Sequence, residues 1–463
     1  MASPVNDPLV TVLGPDPRHR KCVLNGNAFQ QDAITSHNGW QYAVFYSPLR
    51  TDADDAGQSE PVFVHVARRK LPAAPWEVLA LDDYPQTVDD GHNTVQMGIC
   101  SGDGTIHLSY DHHCDVLRYR HSVKALASDP DRFPWTSALF TPTLDHLPGL
   151  PRTHEHFGYV TYPRFGPAGR GGRDMFMSFR TGKAGLGDDH LYVYRAGDEG
   201  GGSRFVFVGT HLVGVQNNPY VHGMDYQTRA DGGGRLHVTW VYRSFVHYDG
   251  WDDPLDAKHK QQAGPNGAEN NHDLCYAYSD DDGRTWRNTH GALVADLGPD
   301  GGGRGVTPDA PDLVVFGIPK RSGLTNQESQ AVDADGGVHV LNRTLEGEDR
   351  PMWRHFYREP MTGAWTQHTI GPVTGGKRGR LAVAKSGDLL VILPDSDAPT
   401  LRILRATKQN GYAEFQQVWK GSGLSGEPLV DVRRLQADGT LSVFTRLDAG
   451  DGSKNVVVLD FQL

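Results

Sequence analysis

An all-β fold, a single-domain seven-bladed β-propeller, is the architecture the sequence predicts, on three observations. A tight turn followed by an alternating strand recurs along the whole chain, in the pattern of Asp103-Gly104 leading into residues 106–110. The recurrences number seven, centred near residues 44, 108, 177, 238, 340, 391 and 443. Ser279-Asp280-Asp281-Asp282-Gly283-Arg284-Thr285-Trp286 fits the Asp-box pattern, in which a polar turn seats a tryptophan between the strands of a propeller hairpin. One four-stranded sheet cannot bury both of its faces, so such units stack radially as blades around an axis.

Taken in order, residues 1–30 read as a lead-in that closes the ring by pairing with the last blade. Asn38-Gly39 opens the first repeated strand, and a polar loop follows at 51–60. Asp103-Gly104 opens the second, inside a polar-dense segment at 89–115, and residues 125–160 form a long connection rich in Pro and His. Arg173-Asp174 opens the third, and Asp231-Gly232-Gly233-Gly234 the fourth. The next interval is the longest and carries polar loops at 249–271 and 298–305; an extra blade hidden there is the alternative to a count of seven. Asp335-Gly336-Gly337, Gly387-Asp388 and Asp438-Gly439 open the last three. No composition break marks a domain boundary within residues 1–463.

Composition agrees. The 55 glycines and 29 prolines suit a turn-rich chain, and no apolar run is long enough to cross a membrane. A net charge of −11 argues against nucleic acid as a partner. Cys22, Cys100, Cys114 and Cys275 form no disulfide framework; Cys100 and Cys114 flank one strand, and buried free thiols are expected there rather than a bridge. The chain does not open on a basic segment followed by an apolar core. It therefore reads as intracellular or as the mature form of a secreted protein, and the second, as a monomer, is the expectation carried forward.

Four polar clusters interrupt the repeat. Gly91-His92-Asn93 precedes a strand whose hairpin partner ends in Tyr110-Asp111-His112-His113, and antiparallel pairing brings the two groups together. Thr161-Tyr162-Pro163-Arg164-Phe165, Ser178-Phe179-Arg180-Thr181-Gly182-Lys183 and Trp240-Val241-Tyr242-Arg243 follow. Equivalent strand ends in successive blades point to the same face, so His112, Arg180 and Arg243 are expected to converge on one funnel. Asn342-Arg343 takes the corresponding later place, and Asn326, Gln327 and Arg378 line the funnel from later blades.

A pocket of His, Tyr and Arg without a carboxylate pair does not suit ordinary glycoside hydrolysis. It suits β-elimination from a uronate sugar. The C5 proton of a uronate is weakly acidic until an arginine and an amide neutralise the carboxylate beside it. A neutral His can then take the proton, and a His or Tyr can protonate the departing O4.

On Gly91-His92-Asn93, residues 106–113, Tyr162-Pro163-Arg164-Phe165, residues 179–187, Trp240-Val241-Tyr242-Arg243 and the Asp box, the chain resembles a known family. These are the seven-bladed propeller polysaccharide lyases with BNR-like repeats, a group that includes ulvan lyases and the rhamnose-α-1,4-glucuronate lyases of gum arabic and arabinogalactan. The resemblance implies His92 as base and also acid, with His112 beside it, and Tyr162 assisting proton transfer, with Tyr159 as the alternative. It implies Arg180 as carboxylate neutraliser and Asn93 as its amide helper; His113, Arg164, Tyr242 and Arg243 join Asn326, Gln327 and Arg378 as substrate-binding residues. The family's Ser-Gly-Asn-Gly run reads Lys183-Ala184-Gly185-Leu186-Gly187 here, so the loop over the substrate differs.

The implied substrate is an acidic polysaccharide or oligosaccharide containing rhamnose and glucuronate. The modest basic content places plant-gum glycans ahead of heavily sulfated ulvan. No cofactor is required for this chemistry. His222, His272 and Cys275, with His259 nearby, could hold a structural zinc, and Asp280-Asp281-Asp282 a calcium. Rival readings are a sialidase-like hydrolase and a non-catalytic glycan-binding propeller.

Overall fold

The computed structural model describes residues 5–49, 60–197, 202–253, 255–257, 260, 264–345, 350–395 and 397–463. Seven antiparallel sheets follow one another along the chain, and together they form a single-domain propeller. Each repeated strand of the sequence is the second strand of its blade: Trp40–Ser47, Ile106–Tyr110, Asp174–Thr181, Gly234–Ser244, Val338–Thr344, Leu389–Asp395 and Thr440–Asp448. The Asp-Gly and Gly-Gly turns are legible because they impose the reversal locally, with Gly39, Gly232 and Gly336 at φ of 75°, 78° and 92°.

Leu9–Pro15 pairs with Lys454–Gln462, so strands from both ends of the chain share the seventh blade. That blade also carries a seven-residue α-helix, Val432–Asp438, capped by the Asp431 side chain and ended by Gly439 at φ 82°. The second blade has three paired strands, and 3₁₀ turns fill residues 130–158 in place of an outer strand. Among the described residues, the long interval between the fourth and fifth repeats forms no eighth sheet. It is used by Asn271–Ser279, Thr285–Arg287 and Leu293–Asp296, the outer strands of the fourth blade.

The core lies in layers between blades. Val44, Tyr46, Val64 and Val66 pack on Met97, Leu108 and Tyr110, and Leu390, Ile392 and Ile403 pack on Leu441, Val443 and Val457. Each fully buried aliphatic side chain contributes about 1.5–3 kcal/mol, so every inter-blade layer is a substantial share of the stability.

The Asp box staples the third and fourth blades. Asp281 accepts from the Thr285 amide and the Ser279 hydroxyl, both at 2.8 Å, while Trp286 is fully buried and stacks on His211. Asp280 pairs with Arg235, and Asp282 pairs with Arg195 of the neighbouring blade. All three carboxylates that could have held a calcium thus accept hydrogen bonds from the protein's own donors. The four cysteines are free thiols. Among the described residues, no helix is long and apolar enough to cross a membrane.

Candidate active site

A cavity of about 310 Å³ opens where the strand ends of the second, third and fourth blades meet. His92, His113, Tyr162, Arg180, Arg243, Asn326 and Arg378 of the expected set line it.

Backbone pairing sets the spacing. Thr161 pairs with His113 on one side and with Arg180 on the other, which places the imidazole and the guanidinium on the two strands that flank it. One residue later the strand bulges: Tyr162 and Pro163 face the single residue Phe179, and Tyr162 takes a left-handed φ of 55°. A tyrosine in that conformation is strained, and strain of this kind concentrates at functional sites. The bulge turns the Tyr162 ring into the cavity, 5.2 Å from the Arg180 guanidinium and 5.7 Å from the His92 ring.

The two histidines share one carboxylate. Asp90 accepts from His92 Nδ1 through Oδ1 and from His113 Nδ1 through Oδ2, both at 2.6 Å. An ionised carboxylate only accepts, so both rings carry their proton on Nδ1 and keep Nε2 as the lone pair. The rings stack 3.8 Å apart, and Phe29 stacks on the far side of His92 at 4.6 Å. Burial opposes the charge on Asp90, but the hydrogen bonds from His113 and His92 hold its carboxyl well below the usual range. Burial, with His92 beside it, pushes His113 down to about 4, so its imidazole is neutral at neutral pH.

An arc of cations faces the histidines. Arg180 and Arg243 both donate to the Tyr220 hydroxyl, at 3.0 and 3.2 Å. Arg243 also reaches Asn326 Oδ1, as does Arg378, at 3.2 and 3.3 Å. Among the described residues no carboxylate lies within ion-pair distance of Arg180 or Arg243, and no Asp or Glu lines this cavity. Two buried cations without an anion beside them have the charge to hold a carboxylate. The Lys183–Gly187 loop follows. Gly185, at φ 82°, lies with its Cα so near Phe245 that a Cβ would stand 2.8 Å from the Phe245 backbone, and this close approach leaves Ala184 as the cavity wall.

Several expectations are corrected. His112 is not in the cavity: it is fully buried behind it, its Nε2 accepting from the Arg118 amide at 2.8 Å. Neighbouring residues on a strand point to opposite faces, and left-handed Asp111 and Cys114 fix which of the two histidines faces inward. The same alternation sends Tyr242 into the blade core beside Trp240 while Arg243 reaches the cavity. Asn93 is buried and donates to Asp111 at 2.7 Å, so it is no neighbour of Arg180. Arg164 turns into its own blade against Asp189 and Ser178. Gln327 is buried behind Asn326, near Gln31. Arg343 pairs with Glu328 and stacks on Trp353, and Asn342 binds His222.

The proposed zinc ligands do not assemble. His222 has both ring nitrogens engaged by Glu328 and Asn342, His272 bonds Asp273 and Ser244, and Cys275 lies in the core of the fourth blade. His259 lies outside the described residues. Among the described residues, the one His/Cys/Asp/Glu group close enough to hold a metal is Asp90, His92 and His113. Their 2.6 Å contacts are hydrogen bonds, shorter than ligand atoms sit around one ion.

Phe29, Asp90, Tyr220 and Asn266 are cavity or support residues that the sequence motifs missed. Only Asp90 had a signal, since Asp-x-His matches the local turn in which its Oδ1 also accepts the His92 amide at 2.9 Å.

A sequence model of BNR repeat-containing family members matches residues 40–372. No curated protein matches the chain by sequence. Among solved structures, the polysaccharide lyase Uly1 aligns with a TM-score of 0.69 at 19% identity, over 99% of this chain and 99% of that one. The Trypanosoma rangeli sialidase gives 0.41 at 11% identity over 98% of this chain and 60% of that one. The α-L-arabinanase of Penicillium chrysogenum gives 0.40 at 12% identity over 80% and 92%. The likeness to Uly1 is one of fold, from end to end.

Proposed function

The chain belongs to the BNR repeat-containing family, and from that premise we propose that it is a polysaccharide lyase acting by β-elimination on a uronate. The bond cleaved is L-rhamnosyl-α-1,4-D-glucuronate in gum arabic or arabinogalactan-type glycans. One observation carries the reading: two stacked imidazoles, each held at Nδ1 by Asp90, face across a tyrosine a pair of arginines with no carboxylate partner among the described residues. That Uly1, which has the same fold, is a polysaccharide lyase supports it.

Arg180 and Arg243 bind the uronate carboxylate and damp the negative charge that grows on it as C5 loses its proton. His92 Nε2 takes the C5 proton; the electron pair forms the C4=C5 double bond, and the C4–O4 bond breaks. The resulting His92 imidazolium is stabilised by Asp90 at 2.6 Å, and it returns the proton to O4, with Tyr162 assisting. In glucuronate the C5 hydrogen and O4 lie on one side of the ring, so one group can serve both steps. Free rhamnose and an unsaturated uronate result, with no water consumed. No cofactor enters, and we take the enzyme to be a secreted monomer.

The three cavity arginines would also suit a sialidase-like hydrolase. That chemistry needs a carboxylate to activate a tyrosine nucleophile, and among the described residues none lines the cavity. Ultraviolet absorbance of a gum arabic digest, followed by analysis of the released sugar, tests the proposal. Growth of the unsaturated-uronate band with free rhamnose is expected. Growth on ulvan alone moves the substrate, hydrolysis without the band favours the hydrolase, and no turnover of either polymer favours a glycan-binding propeller.

A further inference from the structure

A second cavity, of about 480 Å³, lies against the first and shares Phe29, His92 and Arg378 with it, so these three side chains form a common wall. The two cavities differ in charge. Among the described residues, arginines and no carboxylate line the first, whereas Asp89, Asp90 and Glu427 line the second, with Lys260 and the shared Arg378 as its cations. Backbone donors fix two of these carboxylates in place. Asp89 accepts from the Lys21 and Cys22 amides at 3.0 and 2.9 Å, and Glu427 from the Ala28 and Arg378 amides at 2.5 and 2.8 Å.

We propose that the second cavity is the subsite for the sugar that departs with O4, and that Asp89 and Glu427 restrict it to neutral, unsulfated sugars. The assignment rests on the lyase reading above. In the elimination the proton leaves C5 while the bond breaks at the neighbouring C4. The base therefore stands between the side that holds the carboxylate and the side that holds the leaving sugar. His92 is the histidine that borders both cavities, whereas His113 lines only the first. Hydroxyls of a neutral sugar donate to the fixed carboxylates, beside the edge of Phe29, whose ring faces carry His92 and Arg378. A sulfate ester would set like charges against Asp89 and Glu427.

The test compares two matched rhamnosyl-glucuronate oligosaccharides, one carrying a sulfate on the rhamnose, with the wild-type chain and with Asp89→Asn and Glu427→Gln. The wild type is expected to prefer the unsulfated substrate by about tenfold or more in kcat/KM. Each variant is expected to narrow that ratio, while inhibition by free glucuronate, which occupies only the first cavity, stays at the wild-type value. Equal use of both substrates by the wild type overturns the proposal, as does an unchanged ratio in both variants. Absence of elimination on either substrate overturns the lyase reading and this assignment with it. A preserved elimination without discrimination overturns the assignment alone.

Discussion

Replacing Asp90 by Asn tests the shared-carboxylate arrangement at its centre. The oxygen that accepts from the His92 amide and His92 Nδ1, at 2.9 and 2.6 Å, is kept by the amide group, so its NH₂ falls beside His113 Nδ1. His113 must then accept at Nδ1 and carry its proton on Nε2, turning a lone pair facing the cavity into a donor. His92 keeps its tautomer but loses the charge that stabilises its protonated form. Two unit charges ~4 Å apart at an effective dielectric of ~20 interact by ~4 kcal/mol. The His92 and Asp90 side chains are 19% and 16% exposed, and hydration lowers the figure towards about 2 kcal/mol. The transition state should therefore lose about 2–4 kcal/mol, a drop in kcat of about 30- to 1000-fold. Initial rates of unsaturated-uronate formation, with a thermal melt to confirm folding, measure it. A folded Asp90→Asn protein with wild-type kcat, or one whose whole defect lies in KM, would refute the reasoning.

Arg180→Ala should lower kcat by about 10²–10³-fold, because the uronate carboxylate loses a charge-stabilising donor, and excess guanidinium in the assay should restore part of the rate; wild-type turnover would count against the carboxylate site. Stability should fall steeply in acid. Burial pushes His107, His222 and His237 down to about 3 and His113 and His211 to about 4, whereas an unfolded imidazole titrates near 6.5. The unfolded chain thus binds more protons below that pH, and the stability present above about 6.5 is lost as pH falls towards 3–4, by up to ~1.4 kcal/mol per histidine per pH unit. A urea midpoint that stays flat between pH 7 and 4.5 would contradict this. Asp32 has the opposite sign: burial pushes its carboxyl up to about 6 against the donated Phe165 amide, so ionisation costs stability as pH rises through that value. Asp32→Asn should raise the unfolding free energy, read as a higher urea midpoint, by about 1–2 kcal/mol at pH 8 and not at pH 4, after allowing for the partial solvent access of the side chain.

The blades were legible in the sequence because their signal is local. A Gly or Asp turn and a period-two strand are set by neighbouring residues, and this is why all seven repeated strands were located and the Asp box was recognised. Arg180 and Arg243 were legible for the same reason, since a strand end has a fixed place in a blade. What failed was facing. His112 and His113 are adjacent, and the choice between them turned on left-handed backbone at Asp111 and Cys114, which no side-chain pattern displays. Tyr242 and Arg164 failed likewise, because a residue's face depends on register and bulges. The remaining wall is assembled from Phe29 and from Asn326 and Arg378 at the far end of the chain, which the ring brings together only when Leu9–Pro15 pairs with Lys454–Gln462. The sequence by itself determined a propeller and the strand ends that supply its arginines. Only the tertiary structure decided which of His112 and His113 faces the cavity, which carboxylate holds the two imidazoles and where a second cavity adjoins the first, because these depend on contacts between blades that no stretch of chain contains.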